Sequence, residues 1–138
     1  MDEVLEFVLA VKAAHREINR RFSEALRPLG VTVVQAEALL VLAESGPLSL
    51  KDLGAHVVAE AGNPSRLVDR LTASGLVRRH AVPDDRRQVH VGLTPKGRRL
   101  AHDIRTTRQP LLDWGRRVLD GEGIRTATDV LHRLLDQD

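Results

Sequence analysis

Residues 62–97 read GNPSRLVDRLTASGLVRRHAVPDDRRQVHVGLTPKG, and the patterns within them indicate the fold of this chain. Its first part predicts a helix that begins at Asn63, a good N-cap, with Pro64 at the first helical position. Gly75 suits the left-handed residue at which a helix stops. The apolar stripe of this helix is supplied by Leu67, Val68 and Leu71.

The second part of the stretch predicts a two-stranded β-hairpin. Residues 76–82 and 89–93 are rich in β-branched and aliphatic side chains, and the polar residues 83–88 between them form the predicted tip. The tip carries two adjacent arginines, Arg86 and Arg87. A short helix with a polar first turn beside a basic hairpin suits the major and minor grooves of duplex DNA.

The composition narrows the class of protein. At 138 residues the chain is most simply one domain, and with no Tyr, two Phe and one Trp its core must be aliphatic. Because there is no cysteine, thiolate zinc sites and thiol-based peroxide sensing are excluded. The N-terminus is acidic and no apolar run approaches the roughly 18 residues of a membrane span, so we expect a cytoplasmic protein without a membrane partner.

Positive charge is concentrated in one part of the chain. Residues 62–99 hold nine Lys and Arg against three Asp and Glu, which leaves twelve basic and sixteen acidic residues elsewhere. A local excess of this kind concentrates a polyanion at one surface. Charge alone does not separate this interpretation from that of an ordinary solvated face.

The flanking sequence predicts helices on both sides. A heptad pattern of apolar residues, interrupted only by His15, runs from Val4 to Leu29 and predicts one long helix. A capping-box pattern of Thr32 with Gln35 opens a second helix over 33–44, and a third, short helix follows Ser49.

After the hairpin, Thr94 opens another long helix. Gly121 and Gly123 are predicted to separate that helix from a final one that carries Ile124.

The long apolar stripes of the terminal helices need a covering surface. The pattern from Val4 to Leu29 is longer than one small domain requires, so we expect the terminal helices of two chains to form a homodimer. A three-helix bundle within one chain is the alternative. We therefore predict a single domain over 1–138, with dimerisation helices at 1–30 and 98–138 around a DNA-binding lobe at 31–97.

The polar start of the central helix carries the candidate contacts to bases. Arg66 suits a bidentate contact to guanine, Ser65 offers a hydroxyl, and Arg70 suits a flanking phosphate. Asn63 is expected to cap the helix. At the hairpin tip, Arg86 or Arg87 suits insertion into a narrow minor groove.

The acidic residues of this region are expected to act within the protein. Phosphate would repel Asp85, so this residue is interpreted as the partner that orients a tip arginine, and Asp69 as the partner of another neighbouring arginine.

These motifs resemble the MarR family of bacterial winged-helix transcription factors. The similarity covers essentially the whole chain and is most specific at the hairpin, where an Asp-x-Arg precedes an apolar strand that ends in Leu-Thr-x-x-Gly. In this chain the pattern falls on Asp85, Arg86, Arg87, Leu93, Thr94 and Gly97.

The resemblance implies a mainly α (α+β) fold, a winged helix-turn-helix with long N- and C-terminal dimerisation helices. It further implies a homodimer on a pseudo-palindromic operator and repression relieved by a small ligand. Under this resemblance Arg87 is the minor-groove arginine and Asp85 its supporting carboxylate. Pro64, Ser65 and Arg66 start the recognition helix, and Thr32 approaches the DNA backbone.

Other site classes receive less support from the sequence. A cleft for an aromatic anion would draw on the flanking helices, with His15, Arg16, Phe22 and Trp114 as candidates, although each has an ordinary structural interpretation. No metal and no cofactor is expected, because the six histidines lack diagnostic spacing. No nucleophile motif or phosphate loop favours an enzyme. The rival class is a winged helix that docks an acidic protein instead of DNA.

Overall fold

The computed structural model describes residues 1–57 and 63–137, with Arg86 described by its backbone alone. The chain divides into two compact units, Met1–Arg108 and Gln109–Asp138. Its elements are α1 Glu3–Leu26, α2 Val33–Ser45, β1 Leu48–Ser49, α3 Leu50–His56, α4 Pro64–Ala73, β2 Val77–Val82, β3 Asp85–Leu93, α5 Pro95–Val118 and α6 Gly121–Leu135. The predicted fold class, mainly helical with a small antiparallel sheet, is confirmed.

Helix α1 is capped by Asp2, whose carboxylate accepts the backbone N–H of Val4 at 2.7 Å. The prediction that this helix continues to Leu29 is wrong at its end. The helix stops at Leu26, and a 3₁₀ turn over Arg27–Leu29 follows. Pro28 has no N–H with which to continue the α-helical pattern, which explains the early end.

Local hydrogen bonds set the ends of α3 and α4 as the sequence predicts. Ser49 Oγ accepts the N–H of Asp52 at 3.1 Å and caps α3. Beyond α4, Gly75 has φ +75, and the N–H of Leu76 reaches the carbonyl of Leu71 at 2.9 Å. This hydrogen bond spans five residues and closes a Schellman motif. Glycine is favoured at position 75 because the left-handed conformation strains other residues.

The sheet has three antiparallel strands in the order β1-β3-β2, so the prediction of two strands is incomplete. The additional strand β1 contains only Leu48 and Ser49, which pair with Val91 and His90 of β3. A strand of two residues is too short to show the alternation of apolar and polar side chains from which strands are predicted. Only pairing with a strand about 40 residues further along the chain defines β1.

The hairpin is longer than predicted. Strand β2 continues to Val82 and β3 begins at Asp85, so the turn contains Pro83 and Asp84 instead of all of 83–88. A register shift between Ala81 and Val82 accommodates this tight connection. The predicted tip is wrong because ladder hydrogen bonds extend through polar residues that have low strand preference.

The core of the first unit is aliphatic, as the composition predicts. It joins the end of α1, helices α2, α3 and α4, the sheet and the start of α5. Its largest fully buried side chains are Leu26, Leu39, Leu53, Leu71, Ile104, Val68 and Val77. This core holds α4 and the hairpin in one packed body, so the two predicted DNA-binding elements are positioned together.

The second unit contains the end of α5 and all of α6. The predicted break between two helices is present, but it lies at Leu119 and Asp120. Gly121 and Gly123 belong to the first turn of α6. Asp120 is the N-cap, and its Oδ1 accepts the N–H of Gly123 at 2.6 Å. A strong cap stabilises a helix start despite two residues with poor helix propensity.

Within the described part of the chain, no single helix is both long and apolar enough to cross a membrane. One neighbouring pair, Glu3–Leu29 and Val33–Ser45, meets those criteria together by length and composition, with a bend of 79° between its members.

Candidate nucleic-acid interface

Helix α4 begins at a side-chain cap. Asn63 Oδ1 accepts the backbone N–H of Ser65 at 2.9 Å, and Pro64 occupies the first turn. The predicted capping role of Asn63 is therefore confirmed. Pro64 has no backbone N–H, so no donor is left unpaired at this position of the first turn.

Helix α4 separates a buried face from an exposed face. Leu67, Val68 and Leu71 pack into the core. Ser65, Arg66 and Arg70 are exposed, and Arg66 and Arg70 lie one turn apart on the same side. The structure thus presents the predicted base-reading residues to solvent on one rigid element.

A groove of about 240 Å³ joins the start of α2 to the exposed side of α4. On the α2 side, Thr32 Oγ1 accepts the N–H of Gln35 at 3.2 Å, while Gln35 Oε1 accepts the N–H of Thr32 at 3.0 Å, which completes the predicted capping box. On the α4 side the groove is lined by Asn63, Arg66 and Arg70.

Two arginines beside the start of a helix form a suitable environment for one phosphate of a DNA backbone. Gln35 is an additional member of this groove. The sequence singled it out only as half of the capping box.

The wing, residues 77–93, presents a second basic element. Arg87 is exposed on β3, three residues beyond the last turn residue, and Asp85 Oδ1 accepts its backbone N–H at 2.9 Å. Asp85 therefore holds the main chain at Arg87, and among the described side chains it forms no ion pair. Its action on a tip guanidinium stays a prediction, and the side chain of Arg86 lies outside the described part of the structure.

An ion pair connects α4 to the wing. Arg79 Nη2 on β2 lies 2.8 Å from Asp69 Oδ1 on α4, and both side chains are about half exposed. The interpretation of Asp69 as the partner of a nearby arginine is confirmed. Its partner is Arg79, ten residues away, which the sequence did not identify.

The residues predicted for an aromatic ligand lie on two helices. His15, Arg16 and Phe22 are on α1, where His15 Nε2 lies 3.1 Å from Asn19 Nδ2. Phe22 packs partly against the core of the first unit, and Trp114 lies on α5 in the second unit. Their ligand role stays a prediction.

The histidines do not point to a metal centre. His80 and His90 are direct partners across the β2–β3 ladder. In the described ranges, 1–57 and 63–137, no group of three or more His, Asp and Glu is placed to hold an ion.

Comparison with known proteins agrees with this architecture. The family model described as MarR family matches residues 29–88, which run from just before α2 into β3 of the wing. The HTH-type transcriptional regulator TtmR of Methylorubrum extorquens (strain PA1) is 34% identical over 134 residues, with 92% of this chain and 68% of the relative covered.

Two solved structures share the fold. A mutant of Escherichia coli MarR, crystallised in complex with operator DNA, matches with a TM-score of 0.85 at 23% identity and covers 96% of each chain. BpsR of Bordetella bronchiseptica, whose DNA binding is regulated by 6-hydroxynicotinic acid, matches with a TM-score of 0.83 at 23% identity, over 94% of this chain and 92% of BpsR. Together with the sequence identity to TtmR, these comparisons show that the chain belongs to the MarR family of winged helix-turn-helix transcriptional regulators.

Proposed function

We propose that this protein is a cytoplasmic transcriptional repressor that binds a pseudo-palindromic operator as a homodimer and is released by a small organic ligand. The observation that carries the proposal is the exposed side of α4. There Ser65, Arg66 and Arg70 face solvent on a helix whose other side is anchored in the core. Arg66 and Arg70 also line the groove at the start of α2. Polar and cationic side chains at the start of a rigid helix are what the major groove requires.

The wing supplies the second contact in this proposal. Arg87 is exposed and its backbone is fixed by Asp85, so its guanidinium is well placed to enter a minor groove, where negative potential is strongest over A·T-rich steps. The operator complex of E. coli MarR is a precedent for binding of operator DNA by the same fold.

The terminal helices support the dimer. Along α1, Val4 is 66% exposed and Val8 is 40% exposed. In the second unit, Leu134 and Leu135 of α6 are 60% and 75% exposed. Large apolar side chains in such numbers call for a covering surface, and a second copy of the chain provides one that matches a palindromic site.

Release by a ligand is supported by a solved structure with the same fold. In BpsR, which shares this fold, 6-hydroxynicotinic acid regulates DNA binding. We extend to this chain only the class of effector, a small aromatic compound.

Selection of bound duplexes from a random library tests the proposal. We expect enrichment of an inverted repeat whose half-sites lie about one helical turn apart, because two symmetric lobes enter successive major grooves. Sedimentation analysis of the same preparation should show a dimer at micromolar concentration.

If no sequence is enriched and all duplexes bind equally weakly, the proposal is wrong. In that case the basic face would fit the acidic protein partner of the rival interpretation. A monomer at micromolar concentration would contradict the dimer.

A further inference from the structure

We infer that Thr94 and Lys96, at the start of α5, are positioning residues for DNA recognition. They fix the orientation of α4 and thereby the spacing of operator half-sites that the protein accepts. The inference rests on the function proposed above, a homodimer that places one α4 in each half-site. Thr94 and Lys96 lie 19 and 22 positions beyond the residues of the α4 end that they bind.

The end of α4 is bound through three consecutive carbonyl groups. Thr94 Oγ1 donates to the carbonyl of Gly75 at 2.6 Å, and Lys96 Nζ donates to that of Ser74 at 2.9 Å. The backbone N–H of Thr94 donates to the carbonyl of Leu76 at 3.1 Å. Carbonyl groups at a helix end have no partner within the helix, so the start of α5 satisfies acceptors that α4 leaves open.

One hydroxyl group joins the two helices. Thr94 Oγ1 donates to Gly75 and also accepts the N–H of Gly97 at 3.0 Å, which caps the first turn of α5. Both bonds need a hydroxyl, because this group is a donor and an acceptor at once. Serine at position 94 would retain both bonds, and valine would lose both while keeping a branched side chain.

The two main chains approach closely at this junction. A Cβ added at Gly97 would overlap the carbonyl oxygen of Leu76. The aliphatic stem of Lys96 lies beside Gly75, with 4.0 Å between its Cδ and a Cβ added there. A change in the tilt of α4 therefore acts on α5 directly, through backbone contact.

Directional bonds are needed to fix the orientation of α4. The helix is otherwise held by the burial of Leu67, Val68 and Leu71, and the hydrophobic effect is non-directional. Hydrogen bonds weaken steeply when their geometry departs from linear. The bonds from Thr94 and Lys96 therefore restrict the tilt and rotation of α4 more than apolar burial does.

Helix α5 connects this junction to the second unit. It runs from Pro95 to Val118, and the second unit begins within it at Gln109. In the proposed homodimer two α4 helices must enter successive major grooves, so the orientation of α4 on α5 determines which half-site spacing both can match. A looser junction should accept spacings that the wild type rejects.

Fluorescence anisotropy of the full-length protein with three operator duplexes tests this inference. Their half-sites lie at the spacing found by duplex selection, one base pair closer, or one base pair farther apart. We expect the wild type to prefer the selected spacing. In Thr94→Val and in Lys96→Met this preference should fall by a factor of about 2–10, the range that one lost hydrogen bond is worth.

Two control variants separate positioning from stability. Thr94→Ser retains the hydroxyl and should restore the wild-type preference. Thr72→Val should leave the preference unchanged, because the hydroxyl that it removes bonds within α4, at 2.7 Å from the carbonyl of Val68. A merely structural role would lower the amount of folded protein, which reduces binding to all three duplexes alike. Urea unfolding measures that loss separately.

Wild-type preference in both Thr94→Val and Lys96→Met would overturn the inference and leave the proposed function intact. The same holds if Thr94→Ser behaves as Thr94→Val does. If Thr94→Val does not fold, Lys96→Met decides by the same criterion. A wild type that binds all three duplexes alike would contradict the proposed homodimer on two half-sites, and the inference with it.

Discussion

Asp69 and Arg79 form the ion pair that connects the recognition helix α4 to the wing, with 2.8 Å between Oδ1 and Nη2. The two side chains are 64% and 47% exposed, so solvent screens their attraction. The pair therefore contributes more to the relative placement of α4 and the wing, the two elements proposed to bind DNA, than to global stability.

A double-mutant cycle with Asp69→Asn and Arg79→Gln should give a coupling free energy of about 0.2–1 kcal/mol in urea unfolding. The same variants should also discriminate less between operator and random DNA. The loss in the free energy of discrimination should exceed the change in the free energy of unfolding. Unchanged discrimination would show that the pair does not align the two elements.

Arg66→Ala should relax sequence preference. If this guanidinium contacts a guanine edge, its loss should cost about 1–3 kcal/mol at one base-pair position and leave the other positions intact. Binding to duplexes substituted at each position of the selected site measures this. Equal losses across all positions would assign Arg66 to phosphate contact instead.

Arg87→Ala should weaken DNA binding. The expected change is a loss of affinity concentrated at operators with A·T-rich steps beneath the wing, where the minor groove is narrow. Fluorescence anisotropy at several salt concentrations should also show a smaller dependence on salt, since one cation fewer displaces counterions. Arg27→Ala, an exposed arginine in the 3₁₀ turn, is the control and should bind as the wild type does.

Gly97→Ala should destabilise the first unit. Gly97 is buried in the first turn of α5, and an added Cβ would overlap the carbonyl oxygen of Leu76, a backbone atom that cannot move aside alone. Overpacking of this kind costs about 1–3 kcal/mol. Chemical denaturation measures the loss.

Gly115→Ala is the matched control, because it lies in the same helix with no heavy atom within 4 Å of the added Cβ. This substitution should leave stability equal or higher, since Ala favours helix over Gly. A Gly97→Ala variant as stable as the wild type would contradict the close approach.

Glu17 on α1 should titrate unusually low. The hydrogen bond from Arg20, with a weaker one from Arg21, lowers the pKa of Glu17 from 4.5 to about 2, against the opposing effect of desolvation. A carboxylate whose pKa is lowered by folding stabilises the folded state at pH values above its pKa in the unfolded chain. For Glu17 this contribution is lost as the pH falls from 4.5 towards 2.

Carbon-13 NMR titration of the Glu17 carboxyl gives the midpoint directly. In Arg20→Gln the midpoint should move up towards 4.5, because the largest cause of the lowered pKa is gone. A midpoint near 4.5 in the wild type would contradict the Glu17–Arg20 geometry.

The sequence by itself was sufficient for features that depend on near neighbours. The Asn63 cap, the Gly75 stop and the Thr32 capping box each join residues within a few positions, so residue type and spacing predict them. The exposed side of α4 follows equally from the helical period of its apolar stripe.

Features whose partners lie far apart in the chain depend on tertiary packing and could not be predicted from local patterns. Strand β1 exists because Leu48 pairs with Val91, and Asp69 finds Arg79 because the core packs α4 beside β2. Arg78 of β2 and Arg98 of α5 come to line one groove in the same way. Such contacts carry no local periodicity, since their geometry depends on how the whole core packs and not on neighbouring residues.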